Sequence, residues 1–276
     1  MNSAASNIGH TTQTSISLDA QIIWLLRVAI SGCFIGHGMW GLVQKPAWIP
    51  FFNSFGITDE IAQTLMPLIG SVDIFIGLTI LFSVNKFLIL WAIVWTLFTA
   101  FLRPVAGMSF GEFFERAGNF GPPIALYLLL GYVTIGQQKN INTKQIVLWV
   151  LRCCLSLLLM GHGWLAIEKH STIVANLSFV NFPTEGSNML YFGLFEVSLG
   201  LMVFLFHRSN LFLWTVLAFK LSTEFIYPLR GQMYDVFETI ERMGDYLIPF
   251  ILILFNLHKP QTQPFFNYWN IFKQKK

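Results

Sequence analysis

The chain has 276 residues, of which 54% are apolar and only 11% charged, with a net charge of +3. Soluble domains carry about 25% charged residues, and a chain this poor in charge would aggregate in water, whereas hydrocarbon offers neither water nor counter-charges and calls for such a composition. A water-soluble protein is thereby excluded, as is a nucleic-acid partner. The lipid bilayer is the expected surrounding, and the fold class is an all-α integral membrane protein.

Residues 1–20 contain no Lys or Arg, so the basic start of a cleavable signal is missing. They read as a Ser/Thr/Asn-rich disordered cytoplasmic tail. Apolar runs then predict about eight spans, at 21–44, 66–84, 87–103, 120–137, 146–168, 189–206, 210–227 and 246–258. Most are close to the roughly 20 residues that cross a bilayer. The last is short and carries Pro249, and is expected to borrow a turn from its flanks. Residues 259–276 form a basic cytoplasmic tail. Cys33, Cys153 and Cys154 all fall inside apolar runs with no CxxC among them, and read as small buried apolar residues.

Eight spans sort the charges. One side receives both termini with Lys86, Lys139, Lys144, Arg208, Lys259, Lys273, Lys275 and Lys276, and Arg27 and Arg152 lie near it. The other side receives Lys45, Arg103, Arg116, Lys169, Arg230 and Arg242. The basic excess puts both termini in the cytoplasm. The acid-rich loops then face outward.

The sequence also echoes itself. Trp24-Leu25-Leu26-Arg27 returns as Trp149-Val150-Leu151-Arg152, and Gly36-His37-Gly38 as Gly161-His162-Gly163. Asp73 after Gly70 answers to Glu196 after Gly193, and Pro104 and Gly107 to Pro228 and Gly231. Glu112-x-x-Glu115-Arg116-x-Gly118-Asn119 answers to Glu238-x-x-Glu241-Arg242-x-Gly244-Asp245. The expected domains are therefore two tandem four-helix transmembrane units, 21–138 and 145–258. An even number of spans per unit inserts both in the same orientation, with a parallel pseudo-two-fold axis along the membrane normal rather than the inverted repeat of many transporters.

Arg followed by an apolar run into Gly-His-Gly, an acid in the next helix, and an Arg/Tyr-Pro junction before Glu-x-x-Glu-Arg-x-Gly together resemble the DoxX family of four-helix membrane proteins. The resemblance covers nearly the whole chain, twice over. It implies a membrane subunit of a quinone-linked oxidoreductase assembly, working with other membrane or extracytoplasmic proteins, with quinone as the cofactor to look for. A membrane chaperone or assembly factor without catalysis is the alternative it leaves open.

The residues themselves name no cofactor, no metal spacing and no nucleophile. They do name a polar site. Ionisable groups within spans are costly and by default functional, and helix rise puts His37 and Asp73 at a common depth of roughly 10–12 Å. A carboxylate–histidine pair is expected there, and a second from His162 and Glu196. Either can relay protons, orient a quinone carbonyl or lock two helices together. Bis-histidine haem is disfavoured, because each Gly-His-Gly repeat supplies one histidine and four-helix haem sites usually show more than one per unit. Lys220 and Glu224 stand i,i+4 where the first unit has Thr96 and Ala100, and should form an ion pair. Glu112–Arg116 and Glu238–Arg242 are expected as i,i+4 pairs on two short outer helices, with Ser109 and Asp235 capping their starts and Gly118 and Gly244 their ends. Glu115 and Glu241 are left to ring an outward cleft with Asn119, Asp245, Arg103 and Arg230.

The predicted sidedness has a direct test. In a variant whose three cysteines are replaced, Ile141→Cys should resist an impermeant thiol reagent applied to intact cells and react once the membrane is opened.

Overall fold

The structure, a computed structural model, describes residues 17–135 and 141–258. The tail beyond 258, the first sixteen residues and Lys139 of the predicted loop lie outside the described residues.

In lipid a chain must satisfy its own backbone, which helices do within one segment. Accordingly the described residues form helices and turns with no strand among them. Ser17 caps α1 (Leu18–Leu42) by accepting from the Ala20 amide. A 3-10 turn (Pro46–Trp48) and α2 (Ile49–Asn53) lead into α3 (Asp59–Phe82). Asn85 caps α4 (Lys86–Val105), and Ser109 caps the short α5 (Phe110–Glu115) as expected. α6 (Ala117–Ile135) and α7 (Ile141–Ile167) follow, then α8 (Ser171–Phe179) and α9 (Asn188–Leu205). The chain ends in α10 (Asn210–Glu224), α11 (Ile226–Leu229), α12 (Val236–Glu241) and α13 (Met243–Leu257).

Five of these helices are long and apolar enough to cross a membrane: α1, α3, α4, α7 from Thr143 onward, and α9. The other three predicted spans fall on α6, α10 and α13, of 19, 15 and 15 residues. α3 begins at Asp59 rather than at 66, because Asp59 and Glu60 suit the positive end of a helix dipole. Two expected caps are corrected. Asp235 makes no capping hydrogen bond, and Gly118 and Gly244 lie in the first turns of α6 and α13 rather than ending α5 and α12.

α1, α6, α7 and α13 form the centre, with α3 packed on α1, α4 on α6, α9 on α7 and α10 on α13. Ile22, Leu26, Leu129, Leu151 and Ile251 fill that centre without solvent exposure. The outer helices turn large apolar side chains outward, with Phe87 83% and Leu211 80% exposed, a surface that lipid covers and water would not tolerate.

Glycines set the closest crossings. A Cβ on Gly70 would overlap the Gly38 carbonyl where α3 crosses α1, and one on Gly193 would overlap the Gly163 carbonyl where α9 crosses α7. The short helices cross over: α12 lies on α1, with its Glu241 backbone against Gly36, and α5 lies on α7, with its Glu115 backbone against Gly161.

Overfilling a packed site typically costs about 1–3 kcal/mol. Gly70→Ala and Gly193→Ala should each lower the melting temperature of detergent-solubilised protein accordingly. Gly131→Ala, whose Cβ would meet nothing within 4 Å, should leave it unchanged.

Candidate functional site

The close α1–α3 crossing brings the imidazole between Gly36 and Gly38 up against the acid of α3. His37 Nδ1 and Asp73 Oδ2 are 2.7 Å apart, with Asp73 buried. A carboxylate on Nδ1 holds that nitrogen protonated and orients the ring. The ring lies over Trp48 at a centroid distance of 4.3 Å. Beside it opens a chamber of about 260 Å³, walled by Trp48, Phe51, Phe52, Trp95 and Phe98, with Arg103 at its edge. Arg103 is held there by the Thr99 carbonyl at 2.9 Å and Glu112 at 3.4 Å. The His37–Asp73 pair was legible in the sequence; its aromatic walls were not, because Trp48 to Phe52 lie between spans, where no periodicity marks them.

The second expected pair does not form. Among the described residues no hydrogen bond or ion pair joins His162 to Glu196. His162 faces charges from other helices instead: Asp245 at 3.5 Å, Glu224 at 3.9 Å, Glu115 at 3.8 Å and Arg242 at 3.4 Å. The cause is Lys220. Fully buried, it holds Glu224 at 2.8 Å, as the i,i+4 spacing predicts, and Asp245 at 3.5 Å. This gathers negative groups beside His162 that Thr96 and Ala100 cannot offer beside His37. Glu196 stays buried on α9, facing a cavity of about 30 Å³ that His162 and Glu224 also line.

Of the expected cleft, Arg103 and Glu115 line an outer cavity, whereas Asn119, Arg230, Glu241 and Asp245 do not. Glu115 and Glu241 are both buried and paired across the bundle, Arg116 with Glu241 at 2.5 Å and Arg242 with Glu115 at 3.2 Å. Glu238 meets Arg242 at 3.5 Å, the expected i,i+4 pair, and Lys45 as well. Glu112 does not take Arg116 but Arg103 and His170, each at 3.4 Å; Arg116 instead turns inward to the more deeply buried acids. Arg230 pairs with Asn176 and Asp235 outside this network.

Burial alone would raise the Glu115 carboxyl, but Arg242 and Arg116 hold it well below the usual carboxylate range. Burial likewise pushes Glu238 up, and Lys45 and Arg242 bring it down. The hydrogen bond to Glu112 raises His170 against its burial. An outer cavity of about 260 Å³, lined by Lys45, Arg103, Glu115, Arg116, His162 and Arg242 among others, shares Trp48, Phe51 and Arg103 with the apolar chamber.

His162, Glu224 and Asp245 offer ligand atoms within 4.8 Å of one another, the spacing of a metal site. The Lys220 ammonium stands against two of the three, so the fold supplies its own cation there.

No protein-family model, curated protein or solved structure matches this chain.

Breaking one partner of a buried ion pair typically costs about 3–5 kcal/mol, because it leaves a charge uncompensated. Lys220→Met alone and Glu224→Gln alone should each lower membrane yield and melting temperature by that order. The double variant should recover much of the loss.

Proposed function

We propose that the chain is a tandem duplication of a DoxX-like four-helix unit, and that it works as the quinone-binding membrane subunit of a redox assembly in the cell membrane. Its partners would be membrane or extracytoplasmic redox proteins. In this reading α6, α10 and α13 complete eight spans, both termini lie in the cytoplasm, and the short helices mark the outer face. At about 1.5 Å per residue α10 and α13 each reach about 22 Å, and α11 and α12 extend their outer ends.

The apolar chamber beside His37 carries the functional part. A quinone head is a flat ring with a carbonyl at each end. Aromatic walls suit the ring, and an imidazole whose Nδ1–H is fixed by a carboxylate leaves Nε2 to accept a hydrogen bond from a hydroxyl of the reduced form and, on its oxidation, to take the proton. Leu65 and Ile69 of α3 and Trp95 and Phe98 of α4 form the wall toward the outer ring of helices. A lipid-soluble molecule could therefore enter from the bilayer without crossing water. Support for the duplication comes from the paired positions: the Gly38–Gly70 and Gly163–Gly193 crossings, and the reciprocal Arg116–Glu241 and Arg242–Glu115 contacts.

Protein purified without added quinone should carry a prenylated quinone extractable into organic solvent, near one per chain. His37→Leu and Trp48→Ala should each reduce it at least tenfold while leaving the protein folded. An empty chamber that also refuses added short-chain quinone would overturn this reading in favour of a chaperone or assembly factor.

A further inference from the structure

We infer that Glu196 is the inner end of a proton-exchange path that enters at the short-helix end of the bundle and passes through His162.

Three independent observations support it. Glu196 is 3% exposed, and no hydrogen bond or ion pair to it is found among the described residues. It faces a cavity of about 30 Å³, and a void of that size holds a single water. A buried carboxylate without a partner is strongly disfavoured, whereas a carboxylic acid donating to one water is not. The second observation is the route. His162, Ile173 and Tyr227 line both this small cavity and the outer cavity of about 260 Å³, so His162 is one of two polar side chains between the wide polar space and the buried acid. Tyr227 lines both as well, but only the imidazole carries two ring nitrogens, one to take a proton and the other to release one.

The third observation is a charge count. The layer around His162 holds the buried acids Glu115, Glu196, Glu224, Glu238, Glu241 and Asp245 and the bases Arg116, Lys220 and Arg242, with the half-buried Lys45 at its edge. Six acids against four bases leave an excess of two negative charges if every group is ionised. Low dielectric does not tolerate that excess, so protons must make up the difference. Glu196 is the acid with no base in contact.

Facing Glu196 or the imidazole that feeds it are Lys220 and Glu224 of α10, Tyr227 of α11, Asp245 of α13, Glu115 of α5 and Arg242 after α12. On the far side the path is closed. The next buried residues of α9 and α10 toward the opposite end are Leu199, Gly200, Val203, Leu213, Val216 and Leu217. The transfer is balanced at each step. A hydronium ion in the outer cavity gives its extra proton to one imidazole nitrogen and leaves water, the other nitrogen releases one to the water beside Glu196, and that water passes one to the Glu196 carboxylate. Exchange therefore takes place with one face of the membrane only, and it needs no bound quinone.

Infrared spectroscopy of the purified full chain tests this. The wild-type protein should show a carboxylic-acid C=O band that shifts when water is replaced by D₂O. Glu196→Gln should remove that band. His162→Leu should keep it and slow its shift at least tenfold. If Glu196→Gln fails to fold, Glu196→Asp should move the band instead of removing it. A band untouched by either change at Glu196, or exchange at full speed without His162, would overturn the path. Loss of the band on adding sodium at constant pH would also overturn it, by making the site one for a metal cation.

Discussion

Two arginine–glutamate contacts hold the rest of the bundle in place. Arg116 reaches Glu241 across 125 residues of chain, and Arg242 reaches Glu115 across 127. A buried guanidinium leaves its partner little choice of position, because a planar fork with five donors accepts a carboxylate in few orientations. Such a pair adds little net stability, but breaking it is costly, so it specifies one arrangement against its neighbours. It sets where α5 and α12 lie, and with them the part of the outer cavity that Glu112, Glu115 and Glu238 line.

The bundle holds two chemically different spaces. Beside α1, the 3-10 turn and α2 carry Trp48 to Phe52 against His37 and leave an apolar chamber. Beside α7, Lys220 and Glu224 enter the corresponding layer, and the space shrinks to the volume of one water. One space is walled by aromatic rings and the other carries two carboxylates, Glu196 and Glu224. The outer cavity touches both, meeting the first at Arg103 and the second at His162.

The helices were legible because lipid enforces long apolar runs, and their ends came close wherever a Ser or Asn capped them, as at Ser17, Asn85 and Ser109. His37–Asp73 was legible because neighbouring antiparallel helices share a depth scale, so two positions decide whether side chains can meet. The same reasoning failed for His162. Depth says which groups lie in one layer, not which of several neighbours an imidazole will face, and Lys220 had drawn a stronger set of partners into that layer. Spacing likewise suggested Glu112 for Arg116, since i,i+4 is the nearest contact within a helix. It gave no hint that α5 would leave its own neighbours and lie on α7, a pairing set by contacts far apart in the chain.

This crossing-over bears on how the protein is made. Membrane helices leave the ribosome in chain order, and N-terminal parts fold first when they can. Here they cannot finish. When α1 to α6 have been inserted, the polar face of α5 still lacks α7, and α1 keeps bare the groove around Gly36 that α12 will fill. Arg116 meanwhile has only its neighbour Glu115, at 3.2 Å, until Glu241 is translated. Biosynthesis therefore passes through an intermediate with an unsheltered charged helix at the membrane surface, of the kind that insertion chaperones shield and quality-control proteases cut. A nascent chain arrested before residue 241 has no means of closing that gap on its own.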